Sequence, residues 1–114
     1  MSQFMLLLRG GEFEQYSPEE MQKITEQYLH WAIKLREEGR FLGGDELKNG
    51  GRVLRVQNGR IVDGPFTETK EMIGGYFVLA AKDFDEVAAI AHACPHLKFG
   101  GEVEIREIIP HIKT

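Results

Sequence analysis

Cysteine is nearly absent from this sequence. Cys94 stands alone among 114 residues, so no disulfide can close within the chain, and the stapled scaffolds of small secreted domains are excluded. Long apolar stretches are missing too. The run from Phe4 to Leu8 falls far short of the roughly 20 residues a bilayer-spanning helix needs. It is also too short for the core of a signal peptide, and no basic leader precedes it. Positive charge is scarce: 14 basic residues against 18 acidic leave a net charge of −4. No dense basic stripe exists to neutralise a phosphate backbone, which argues against direct nucleic-acid binding. The expectation is a cytoplasmic protein that contacts neither membrane nor nucleic acid.

What is present reads as one domain spanning residues 1–114, with 42% hydrophobic and 28% charged residues. Phe4 to Leu8 is continuously apolar, as a strand buried on both faces would be. Ser17, Pro18 and Glu20 then spell a capping box at a helix start. Met21, Ile24, Tyr28, Trp31, Ala32 and Leu35 recur at helical spacing up to Gly39. Leu29 and Ile33 widen that apolar arc, which predicts a helix touching more than one neighbour. Phe41–Leu47 predicts no more than a weak strand or an extended connector.

Asn58-Gly59 between two β-rich runs, Arg52–Gln57 and Arg60–Asp63, is a hairpin signal, because both turn residues must take positive φ. Ile73–Ala81 is a second strand without a polar side. A second helix starts at Asp83, with Glu86 three residues on, and runs through Cys94 until Pro95 ends it. Glu102–Ile109 closes the chain as an alternating strand. The order predicts a ferredoxin-like βαββαβ fold of the α+β class, with an inserted hairpin and two helices on one face of an antiparallel sheet. Two helices cannot cover both sides of strands that are apolar throughout. The reading therefore includes a homodimer through the open sheet face.

The stretch Asp63-Gly64-Pro65-Phe66-Thr67-Glu68-Thr69-Lys70-Glu71, followed by Gly74-Gly75-Tyr76, closely resembles the signature of the DGPF branch of YCII-related proteins. Glu38-Gly39, Gly43-Gly44, Cys94-Pro95 and Val103-Glu104-Ile105-Arg106 fall in the same family order. The resemblance implies a dimeric α+β barrel and, for many members, small-molecule enzymology. Some members occur beside alternative sigma factors, which implies a regulatory role for those. The branch read as catalytic carries a histidine in the first helix and an aspartate before a proline near the end of the second. Those positions fall here on Tyr28 and Cys94, so that dyad is replaced.

Asp63, at a strand end, is the first candidate for a base or ligand, set against a turn-capping role for the same carboxylate. Lys70 and Glu71 pair a cation with a carboxylate ahead of a buried strand. They suit an anionic substrate, or equally a structural ion pair. Tyr28, Phe66 and Glu68 complete the set as substrate-binding candidates, with Phe66 leaning towards the core and Tyr28 able to point its hydroxyl into a pocket. His30 falls on the solvent side of its helix. His92, Cys94 and His96 look like metal ligands on paper, but Pro95 separates the two histidines and no metal site is assigned. No cofactor motif is present. Two functions stand from the residues: a cofactor-free small-molecule enzyme of lyase or isomerase type (or a ligand-binding domain), and a non-catalytic regulatory module docking a protein such as a sigma factor.

Overall fold

A computed structural model describes residues 1–64, 66 and 72–112. Its elements are β1 (Ser2–Gly10), α1 (Pro18–Glu37), β2 (Phe41–Glu46), β3 (Val53–Gln57), β4 (Arg60–Gly64), β5 (Ile73–Ala81), α2 (Phe84–Ala91), a 3₁₀ turn (Pro95–Phe99) and β6 (Gly101–Ile108). One antiparallel sheet forms in the order β2-β5-β1-β6, and β3 and β4 pair separately. This is the ferredoxin-like α+β arrangement with an inserted hairpin.

The helix starts obey local chemistry. The Glu20 N–H donates to Ser17 Oγ at 3.1 Å, and the Ser17 N–H donates to the Glu20 carboxylate at 3.0 Å, closing the capping box. At the other end the Gly39 N–H donates to the Arg36 carbonyl at 3.0 Å and the Arg40 N–H to that of Leu35 at 2.9 Å. That pattern is a Schellman stop. Ile24, Trp31 and Leu35 are buried. Leu29 and Ile33 remain exposed, so the second side of the apolar arc is not buried.

Two elements depart from the sequence reading. α2 is capped by Asp83, which accepts from the Glu86 N–H at 2.9 Å, but it stops at Ala91 instead of reaching Cys94. Proline disfavours helical backbone at the residue before it. The chain tightens instead, with the Ala93 and Cys94 N–H groups donating to carbonyls three residues back, and Pro95 opens the 3₁₀ turn. β2, in turn, is a full edge strand on β5, irregular between Phe41 and Gly43. In the hairpin, Asn58 and Gly59 take φ of 53° and 75°, the tight turn that their side chains suit.

The sheet has two unlike faces. Phe4, Leu6, Leu79 and Ala81 are fully buried beneath the helices, where Trp31, Leu35 and Val87 join them. The alternate residues Met5, Leu7, Tyr76, Val78 and Ala80 are only partly covered. They lie in cross-strand pairs, Leu7 beside Tyr76 and Met5 beside Val78. Arg9 Nε lies 3.4 Å from Glu104 Oε1 at their border. Among the described residues, no helix is long and apolar enough to cross a membrane.

Candidate functional site

His96 is the one polar side chain buried among the described residues, at 4% exposure. It sits in the 3₁₀ turn Pro95–Phe99, where Gly100 at φ 76° swings the chain into β6. A Cβ on Gly101 would run into the imidazole ring, so glycine at that position is what makes room for it. Phe13 and Phe99 flank the site, their ring centroids 5.7 Å apart. Phe99 stacks on Tyr28 at 6.5 Å, and Phe13 lies 6.1 Å from His96. The Glu12 N–H donates to the Phe99 carbonyl at 2.7 Å, which ties the loop after β1 to the turn.

Both imidazole nitrogens are engaged. Nε2 lies 2.9 Å from the Arg9 carbonyl oxygen, and Nδ1 lies 2.8 Å from Tyr28 Oη. A carbonyl can only accept, so Nε2 carries the hydrogen. In the neutral ring Nδ1 is then the acceptor, and the Tyr28 hydroxyl donates to it. Burial holds the His96 pKa below its ordinary value, and the bond to Arg9 offsets this only in part. Burial likewise raises the Tyr28 pKa well above the usual phenol value, with Cys94 and Glu46 adding to the shift. The resting pair is neutral on both sides. Cys94, 1% exposed, is pushed up to about 11 by burial, partly offset by a bond from the His96 backbone N–H. It is a packed thiol and not a nucleophile.

The remaining sequence candidates scatter. Asp63 lies at the end of β4 with its carboxylate 3.4 Å from Arg52, an exposed pair within the hairpin region. Phe66 is 37% exposed and packs over Gly51, so it does not enter the core. Glu68, Lys70 and Glu71 lie outside the described residues. A shallow hollow over Leu54, Arg55, Val56 and Ile61 belongs to the hairpin and not to the Tyr28 site. His30 is exposed. No group of three or more metal-binding side chains gathers among the described residues.

Of the sequence-based set, Tyr28 is the residue that contacts His96, a pairing that reasoning along the chain did not make. The two lie 68 positions apart. The positions that the family resemblance pairs, 28 and 94, do converge here: Tyr28 meets the short turn that begins directly after Cys94.

A family model for the YCII-related domain matches residues 3–112. This chain belongs to the YCII-related family. One similar solved structure is the 5-chloro-2-hydroxyhydroquinone dehydrochlorinase TftG from Burkholderia phenoliruptrix AC1100 in complex with 2,5-dihydroxybenzoquinone. It shares 19% identity over 90% of each chain, with a TM-score of 0.48. No curated protein matches the chain. Within this YCII-related chain, the imidazole lies on the turn after Cys94 and the helix contributes a phenol.

Proposed function

We propose that this YCII-related chain binds a small molecule where α1 meets the Pro95–Phe99 turn, and moves a proton on it without a cofactor, in a lyase- or isomerase-type step. One observation carries the reading: the Tyr28 hydroxyl donates to an imidazole nitrogen whose tautomer is fixed from behind by the Arg9 carbonyl. Tyr28 is half-buried while His96 is enclosed, so the phenol is the end that a ligand meets. Such a pair is a relay. As Oη takes a proton from a bound ligand, it passes its own proton to Nδ1. The imidazolium then carries N–H on both nitrogens, one facing Oη and the other the Arg9 oxygen, and the ligand is left as the anion. Return of the proton through Oη to a different atom of the ligand completes an isomerisation; departure of a leaving group with its electron pair, and release of the imidazolium proton to that group or to water, completes an elimination.

The test is solvent exchange in deuterium oxide. A panel of small enolisable carbonyl compounds and phenols is incubated with the protein, and deuterium uptake at carbon is followed by NMR. The wild type is expected to accelerate exchange of at least one compound. Tyr28→Phe and His96→Gln, each checked for intact fold by circular dichroism, are expected to remove that acceleration. A panel left at the buffer rate by the wild type, or exchanged equally fast by Tyr28→Phe, would overturn the proposal.

A further inference from the structure

After the Gly39 stop the chain runs back beside α1 as β2. Five strand steps from Phe41 to Glu46 cover about 16 Å. At about 1.5 Å per residue, a helix spans that distance in about 11 residues. Counted back from Gly39, this brings Glu46 level with Tyr28. Strand pairing sets the side. Glu46 lies opposite Gly75, and Gly75 opposite the buried Leu8, so the Glu46 side chain leaves the sheet on its helix-covered face. Gly75 puts no side chain there: a Cβ would stand 3.6 Å from Glu46 Cα and 3.7 Å from a Leu8 methyl. Glu46 is exposed, and its charge reaches the Tyr28 hydroxyl and raises its pKa. Among the described residues no cation forms an ion pair with it. A formal negative charge thus stands beside a tyrosine and a histidine that are both neutral.

We propose that Glu46 is the specificity-determining residue of the Tyr28–His96 site, and that the small molecule taken there carries an ammonium group. The location of the site rests on the proton-transfer reading, whereas the charge of the ligand rests on Glu46. Proton transfer to Tyr28 leaves the ligand deprotonated. A neutral ligand would become an anion within reach of Glu46, and like charges in a partly covered site oppose each other. A ligand that already bears an ammonium group becomes a zwitterion instead. Its C–H proton goes to Oη and the Tyr28 proton to Nδ1, while the N–H bonds stay intact and donate to the carboxylate. The rings favour the same ligand. Tyr28 and Phe99 lie 19° from parallel with centroids 6.5 Å apart, and both are partly exposed. Aromatic faces attract ammonium groups and offer nothing to a carboxylate. Because Glu46 and Tyr28 stand level, the ammonium belongs close to the acidic carbon, as in a small amino ketone.

Three ketones of similar size test it at neutral pH: cationic aminoacetone, neutral hydroxyacetone and anionic pyruvate. Binding is read in water from the backbone amide shifts of residues 94–101, and exchange in deuterium oxide from loss of the carbon-bound hydrogen signals. Aminoacetone is expected to bind at least tenfold more tightly than hydroxyacetone, with pyruvate weakest, and its exchange to be accelerated most over the buffer rate. Glu46→Gln alters an exposed side chain, so circular dichroism is expected to stay unchanged while the preference among the three is lost. Tyr28→Phe is expected to stop exchange and keep the preference in binding. A wild type that binds aminoacetone preferentially yet exchanges none of the three would overturn the proton-transfer reading and leave the role of Glu46 standing. Equal binding of aminoacetone and hydroxyacetone, no binding of any of the three, or a preference that survives Glu46→Gln would overturn the role of Glu46.

Discussion

The two faces of the central sheet are nearly equal in composition and opposite in fate. Phe4, Leu6 and Leu79 disappear completely beneath α1 and α2, whereas Met5, Leu7 and Val78, their immediate neighbours in the chain, stay partly open. Hydrophobicity alone therefore does not decide burial. What decides it is whether an element stands opposite, and the chain supplies helices for one face only. The helix-covered side also hosts the polar pair of half-buried Tyr28 and enclosed His96. Dry surroundings make that hydrogen bond strong and make an unpaired partner costly.

The comparison can be broken first at its strongest point. Leu79→Ala removes a fully buried side chain and is expected to cost about 2–5 kcal/mol in urea unfolding, because the surrounding core collapses only partly. Tyr28→Phe is expected to cost about 1–3 kcal/mol, since it leaves Nδ1 of the enclosed imidazole without its donor. An unchanged urea midpoint would mean that the pair contributes nothing to the inner face.

The pair also predicts a pH dependence. The folded state holds the His96 pKa below 6.5, the ordinary value. Below 6.5 the unfolded chain therefore binds a proton that the folded chain resists, and stability falls as pH drops through this range towards the folded pKa. His96→Gln is expected to flatten that slope in thermal melts taken between pH 5 and 8. Cys94, with its pKa raised to about 11, is expected to resist thiol reagents at pH 8 until the protein is unfolded, which a colorimetric thiol assay reads directly. The smallest effect belongs to the outer face. Val78→Ala is expected to cost about 0.5–1 kcal/mol in dilute solution. A cost rising with protein concentration would sharpen the contrast between the faces.

The parts legible in the sequence are those whose causes are local. Ser17 and Glu20 cap α1 because each satisfies the other's backbone, and Asn58-Gly59 turns because both accept positive φ. The continuous runs at Phe4–Leu8 and Tyr76–Leu79 marked strands, one face of each buried beneath the helices and the other only partly covered. Their pairing, which joins residues 64 to 79 positions apart, came only from the βαββαβ order. His96 was hidden for the same reason. Its neighbours in sequence suggested a metal cluster, but its actual partners are a helix residue 68 positions away and a carbonyl 87 positions away. The signal that could have pointed to it is Gly101, where a side chain would fill the space of the ring. Cys94 looked helical because only the restriction imposed by Pro95 on the residue before it ends α2 early. Asp63 attracted attention by its place at a strand end, and the structure gives it Arg52 as a partner.

The irregularity between Phe41 and Gly43 carries a consequence for how copies of this protein meet. β2 is an outer strand, and a straight one would offer free amides and carbonyls on which another sheet could grow sideways. The shifted register interrupts that ladder near its start, while alternating charges at Glu102, Glu104 and Arg106 mark the opposite margin, β6. Lateral stacking into filaments is thereby discouraged at both margins.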